Sequence, residues 1–216
     1  MSRTAPKLDD LHPALREAVE RLADAHRQAH PDTSLCLIWA HRSPEEQRKA
    51  HKAGRSKLDG VRRMSLHNYL PSLAADVWVY TGGDDESPQM YEGRPPKADG
   101  MSLQLLQRGS LKRWYIPLGK LAQDEGLEAG ALWRTFRDGP HVQLSRKDRV
   151  KALQQVLTDR GYAPGPIDGA PGPKTMAAVA VAGLASGCAY EVSAGQARLM
   201  PVHPELWAWL HDREVA

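Results

Sequence analysis

The sequence predicts an α+β protein: a small antiparallel sheet flanked by helices, followed by a small α-helical domain. Three observations carry this expectation. Short apolar runs of strand character, at residues 35–40, 76–80 and 141–144, are interspersed with stretches of helical periodicity. The composition changes near Ser145, where an amphipathic pattern takes over. Residues 161–172 then pack Gly, Pro and Asp into one dense run of turn formers between two helical patterns. The expected domains are therefore 1–145 and 146–216. With 41% hydrophobic and 25% charged residues, both can form cores without disulfides.

In chain order, residues 13–30 read as the first helix, because Leu15, Val19, Leu22 and Ala25 recur at helical spacing. His30-Pro31 ends it, since a residue before proline avoids helical angles. Residues 35–40 follow as a buried strand. Ser43-Pro44-Glu45-Glu46 is a helix start, with a capping Ser, Pro at the first position and Glu three residues after the Ser. A basic loop spans 52–63, and 76–80 is the next strand. Residues 81–100, rich in Gly, Pro and acids, read as an exposed loop. A second helical pattern covers 111–125, residues 126–139 read as irregular, and 141–144 has strand character with His141 and Gln143 on one face. Beyond Ser145, residues 146–160 and 174–184 are helical, and Pro204-Glu205-Leu206-Trp207 starts a last helix.

The formal charge is only +3, with a pI near 8.9. Such a chain is drawn to anionic polymers, but its Lys and Arg are scattered, and no nucleic-acid partner is indicated. Cys36 and Cys188 lack metal or redox spacing and read as buried thiols. The first 25 residues contain no apolar core and cleavage site, so the expectation is synthesis in a cytoplasm without a signal peptide. No stretch approaches a membrane span, and a monomer is expected.

Three segments hold the candidate chemistry: Ser65-Leu66-His67, Ala74-Ala75-Asp76 and Asp138-Gly139-Pro140-His141. Two His and one Asp suit a three-ligand zinc site that leaves a fourth position for water. Asp138, three residues before His141 across a Gly-Pro turn, could act as general base. Spacing alone leaves a structural role open, because His67 and Asp76 are nine residues apart and no helix presents both.

Taken together, Ser65-x-His67, Ala74-x-Asp76, Trp133 and Asp138-x-Pro140-His141-x-Gln143 resemble the zinc DD-peptidase and L-alanyl-D-glutamate endopeptidase family. That family includes vancomycin-resistance carboxypeptidases and bacteriophage endolysins, and shares its fold with the Hedgehog signalling domain. Trp39-Ala40-His41-Arg42-Ser43-Pro44-Glu45-Glu46-Gln47 looks like the family's Arg-bearing segment before a Gln-bearing helix. The resemblance spans about residues 10–145. It implies zinc on His67, Asp76 and His141, Asp138 as catalytic base, Arg42 steadying the substrate carbonyl or its oxyanion, and Ser65 supporting the metal shell. For Arg42 a surface salt bridge is the plain alternative, and for Ser65 a simple turn. One departure is a lengthened segment, Leu70-Pro71-Ser72, between the first two ligands.

A second resemblance lies downstream. Val150-x-x-Leu153-Gln154-x-x-Leu157, Gly161-Tyr162-x-x-Gly165-Pro166-Ile167-Asp168-Gly169 and Gly172-x-x-Thr175-x-x-Ala178-Val179 look like the three-helix peptidoglycan-binding domain. Tyr162 and Asp168 are its candidate wall-binding residues. The usual Phe-Gln at the end of the last helix is missing, and Ala182-Gly183 stands nearby instead. The two resemblances imply a zinc-dependent wall endopeptidase of the endolysin type, with bacterial peptidoglycan as partner. It would reside in the host cytoplasm until release. The same ligands would serve a D-alanyl-D-alanine carboxypeptidase or dipeptidase, and a non-catalytic wall-binding protein is the alternative outside the enzymes.

Overall fold

The computed structural model describes residues 6–81, 90–92 and 111–212. Helix α1 (Pro13–Ala29) is set by His12, whose Nδ1 accepts the Ala14 N–H, and by Pro13 at the first position. It buries Leu15, Ala18, Val19, Leu22, Ala23 and His26, one stripe at spacings of three and four. Full burial of each Leu or Val contributes roughly 1.5–3 kcal/mol.

That stripe faces a five-stranded sheet and a further helix. The strands are β1 (Thr33–Trp39), β2 (Ala74–Thr81), β3 (Met90–Glu92), β4 (Leu127–Ala129) and β5 (His141–Leu144), in the order β3-β1-β2-β5-β4. All pairs are antiparallel except the edge strand β3, which runs parallel to β1. The small antiparallel sheet expected is present as four strands, and β3 adds a parallel edge to it. Part of the stretch read as an exposed loop pairs with β1, while 82–89 and 93–100 lie outside the described residues. β4 likewise falls in a stretch read as irregular, since three residues are too few to show a period.

Strand parity sorts the side chains. Leu35 and Leu37 stand opposite Val79 and Val77, all buried. On the other face Cys36 and Ile38 cluster with Tyr80, Trp39 and Trp78. Cys36 is fully buried, which pushes its thiol up to about 12, so it packs as an inert apolar group. Cys188 is free and half-buried.

The second helical pattern resolves into a π-helical turn at Leu111–Tyr115 running into α3 (Ile116–Asp124). These elements, with the sheet and α1, form one compact unit, covering residues 1–41 and 74–144.

The other compact unit joins residues 42–73 to 145–216. Its helices are α2 (Pro44–Lys52), α4 (Arg146–Asp159), α5 (Pro173–Ser186), α6 (Ala194–Leu199) and α7 (Pro204–His211). The expected capping box is present on α2, where Ser43 Oγ accepts the Glu46 N–H and Glu46 accepts the Ser43 N–H. Helices α4, α5 and α7 pack together over Val150, Leu153, Leu157, Val179, Leu206 and Trp207. Gly187, at φ 68°, closes α5 in the left-handed region. The chain then returns so closely that a Cβ on Gly183 would lie 2.1 Å from the Tyr190 ring. Tyr190 thus fills space that a side chain at 183 would need.

One buried histidine gives the fold a pH dependence. His26 Nε2 lies 2.8 Å from Thr33 Oγ1, and that hydroxyl itself donates to the His30 carbonyl. Nε2 is therefore the protonated nitrogen, and Nδ1 is a buried lone pair without a partner among the described residues. Burial, and then the neighbouring His30, lower the His26 pKa to about 4. Between pH ~6.5 and ~4 the unfolded chain takes up a proton that the folded chain refuses. Stability should fall as pH drops through that window, by up to about 3 kcal/mol. His26→Gln should flatten this slope in urea unfolding followed across a pH series.

Candidate metal centre

The site grows from strand register. Asp76 in β2 stands directly opposite His141 in β5. A register shift between Leu37 and Trp39 also sets Trp39 against Asp76. Gln143, two residues on, shares the His141 face and stands opposite Glu128 in β4. One face of three neighbouring strands thus carries a polar row: Asp76, His141, Gln143, Glu128.

The row is hydrogen-bonded in a fixed sense. Glu128 Oε2 accepts from Gln143 Nε2 at 2.5 Å. Gln143 must then present its oxygen to His141, and Oε1 lies 2.9 Å from His141 Nε2. That contact assigns the ring proton to Nε2 and leaves Nδ1 with its lone pair toward Asp76 Oδ1, at 3.2 Å. Two acceptors at that distance require a cation between or beside them, either a proton on Nδ1 or a metal ion. Both groups are largely withdrawn from water, with 9% of the His141 and 16% of the Asp76 side chain exposed. Burial lowers the His141 pKa, but the hydrogen bond and charge of Asp76 outweigh it and hold the imidazole above its ordinary value. The donor set therefore fits a divalent cation, and His141 gives its other ring N–H to Gln143 Oε1, as metal-bound histidines commonly do to a neighbouring oxygen.

His67 sits on a 3-10 turn, Leu66–Asn68, whose conformation is locally determined. Ser65 Oγ accepts the His67 N–H at 3.3 Å, and Asn68 Oδ1 accepts the Ser65 N–H at 2.8 Å. Ser65 thus caps the turn that carries His67 through its backbone. His67 itself is buried. Among the described residues, His67, Asp76 and His141 each offer one ligand atom, and these atoms lie within 4.8 Å of one another.

Asp138 is brought to the row by a close backbone approach. Its N–H donates to the Gly130 carbonyl at 3.1 Å, and its own carbonyl accepts the His141 N–H at 3.3 Å. A Cβ on Gly130 would lie 2.5 Å from the Asp138 carbonyl oxygen, so glycine is needed for this closure. The charge of Asp138 acts to raise the His141 pKa. Trp133 packs its ring 5.2 Å from the His141 ring.

Arg42 is tied to the His67 turn through its backbone. Its N–H donates to the His67 carbonyl at 2.7 Å, and its carbonyl accepts from Asn68 Nδ2 at 2.7 Å. Its guanidinium Nη1 donates to Gln47 Oε1 at 3.0 Å. Downstream, Asp168 works inside its own turn, where Oδ1 accepts from Gln154 Nε2 at 3.0 Å and from the Ala170 N–H at 2.8 Å. These bonds lower its pKa. Tyr162 is half-buried and holds the Leu157 carbonyl through its backbone N–H at 2.8 Å. Sequence reading missed the connected role of Glu128 and Gln143, although strand alternation could have revealed it once β4 was recognised.

Residues 146–182 match the peptidoglycan binding domain family, over α4 and much of α5. No significant match is found among curated proteins. Among solved structures, the L-Ala D-Glu endopeptidase ChiX of Serratia marcescens is similar at 20% identity, with 65% of this chain and 85% of that chain covered and a TM-score of 0.38.

The hydrogen-bonded row makes a definite demand on Gln143. Gln143→Leu should weaken the affinity for a divalent cation roughly 10- to 100-fold, the usual cost of losing a hydrogen-bond partner of a metal-holding histidine. Competition against a chelating indicator measures it, and an unchanged affinity would contradict the role given to Gln143.

Proposed function

We propose that this chain is a zinc-dependent peptidoglycan endopeptidase of the endolysin type. On this reading it hydrolyses an amide bond of the wall stem peptide, L-alanyl-D-glutamate being the bond we favour. The observation that carries the reading is the group of His67, Asp76 and His141, whose ligand atoms lie within 4.8 Å of one another, with the Asp76 and His141 acceptors facing each other at 3.2 Å. The family match over 146–182 supports peptidoglycan as the partner. No described helix is long and apolar enough to cross a membrane. Residence in the host cytoplasm before release to the wall belongs to the same proposal.

A zinc ion held there would polarise the scissile carbonyl and make a water acidic enough to attack at neutral pH. The chain's own residues do the rest. Asp138 takes the proton from the attacking water and hands it to the departing amine. On this reading the Arg42 guanidinium, which donates to Gln47 Oε1, supplies positive charge to the oxygen on which negative charge develops. The Glu128–Gln143 pair keeps the His141 proton on Nε2, so that Nδ1 remains available. A wall-binding segment on the same chain raises the effective concentration of the catalytic unit at an insoluble substrate.

Purified protein should hold about one zinc per chain, lost in His67→Ala and His141→Ala; elemental analysis finding none in folded wild type would reject the reading. Asp138→Asn should fold, keep its zinc and lose activity by roughly 10²-fold or more. Lysis assays with zinc measured on the same sample test this. Near-normal activity would leave Asp138 as a turn residue only. Mass spectrometry of digested peptidoglycan identifies the new ends and separates an endopeptidase from a D-alanyl-D-alanine carboxypeptidase.

A further inference from the structure

The family match ends at residue 182, yet the chain continues through two further helices, α6 and α7. Their bonds reach the loop that carries His67, from both sides of that residue. Gln196 in α6 uses both ends of its amide: Oε1 accepts the buried Met64 N–H at 3.1 Å, and Nε2 donates to the Tyr69 hydroxyl at 3.1 Å. The Tyr69 hydroxyl passes its own proton to the Val202 carbonyl at 3.0 Å. Trp207 in α7 donates from Nε1 to the Pro71 carbonyl at 3.0 Å. The Tyr69 and Trp207 rings meet edge to face at 6.2 Å, and both residues are fully buried.

The loop is thus anchored at positions 64, 69 and 71, three residues before His67 and two and four after it. Ser65 and Asn68 shape the turn itself, and among the described residues their bonds stay within residues 65–68 and the backbone of Arg42. Arg42 holds the His67 carbonyl, and residues about 130 positions downstream hold the loop at positions 64, 69 and 71. The lengthened segment Leu70-Pro71-Ser72 is where this anchoring falls, and the added residues include the carbonyl that Trp207 holds. A ligand on an unanchored loop must be ordered when the metal binds, and that ordering subtracts from affinity.

We propose that residues 190–212, which lie beyond the family-matched segment 146–182 and pack on it through α7, also act as a positioning clamp for the His67 turn. Gln196, Tyr69 and Trp207 are its positioning residues. They act on metal affinity by holding His67 ready before the ion arrives. The proposal rests on the metal reading of His67 given above.

The test uses the full chain and two readouts. Hydrogen exchange of peptides covering 64–73 reports loop order without any metal, and chelator competition reports zinc affinity. Tyr69→Phe deletes one oxygen and keeps the ring; Trp207→Phe deletes the indole N–H and keeps an aromatic side chain; Gln196→Leu removes both amide bonds. Each should speed exchange at 64–73 several-fold while leaving β1 and β5 peptides unchanged. Each should also weaken zinc binding about tenfold, the scale of outer-shell losses. If Gln196→Leu fails to fold, Tyr69→Phe decides. Exchange that rises equally across the chain, or zinc affinity within twofold of wild type in all folded variants, overturns the clamp. A wild-type chain that takes up no zinc overturns the metal reading instead, and loop exchange alone then judges the anchoring.

Discussion

The facing of Asp76 and His141 across two antiparallel strands is the constraint on which the rest of the centre depends. Antiparallel pairing brings directly opposed side chains close on one face, and a slip of one residue would turn either away from the other. The register here places Oδ1 and Nδ1 at 3.2 Å in a largely buried position. Burying a carboxylate beside an imidazole lone pair is unfavourable unless positive charge is supplied. The sheet therefore builds an electrostatic demand into its own backbone geometry. β4 and β5 extend the demand sideways, because Glu128 and Gln143 together determine which imidazole nitrogen carries the proton.

Buried glutamines recur as the device that organises the chemistry-bearing loops. Gln47, Gln143, Gln154 and Gln196 are 0%, 6%, 1% and 5% exposed. A glutamine amide offers two donors and an acceptor without a formal charge, so it can be buried at modest cost once both ends are used. Gln47 holds Arg42 on one side and Ser56 and the Leu58 carbonyl on the other. Gln154 reaches the Ala170 carbonyl, Thr175 and the Gly169 N–H across the Asp-Gly turn. Gln143 and Gln196 do the same for the His141 ring and the His67 loop. Gln47, Gln154 and Gln196 each tie an irregular segment to a helix position, and Gln143 fixes the His141 ring within its own strand.

Close backbone approach is the complementary device. Gly130 lets the segment carrying Asp138 fold back onto β5, and Gly183 leaves room for the Tyr190 ring. Neither has a positive φ; both are glycine because a side chain has no space. Within 42–73 and 145–216, the segment after the family-matched helices is bonded to the stretch that bears His67.

By itself the sequence determined the elements that are long or locally punctuated. The 17-residue α1 shows its stripe at helical spacing, and α2 announces itself through Ser43, Pro44 and Glu46. The ligand candidates were legible too, because His67, Asp76 and His141 stand in motifs whose combination resembles a known family. β3 and β4 were not legible, since three-residue strands exist only through the ladders they complete. Nor could Glu128 be linked to His141, because their connection runs through cross-strand register rather than along the chain. The anchoring of the His67 loop by Gln196 and Trp207 was equally invisible. Sequence patterns report contacts three or four residues apart, whereas these bonds close loops of more than 120 residues, and only tertiary structure decides which distant donor meets which acceptor.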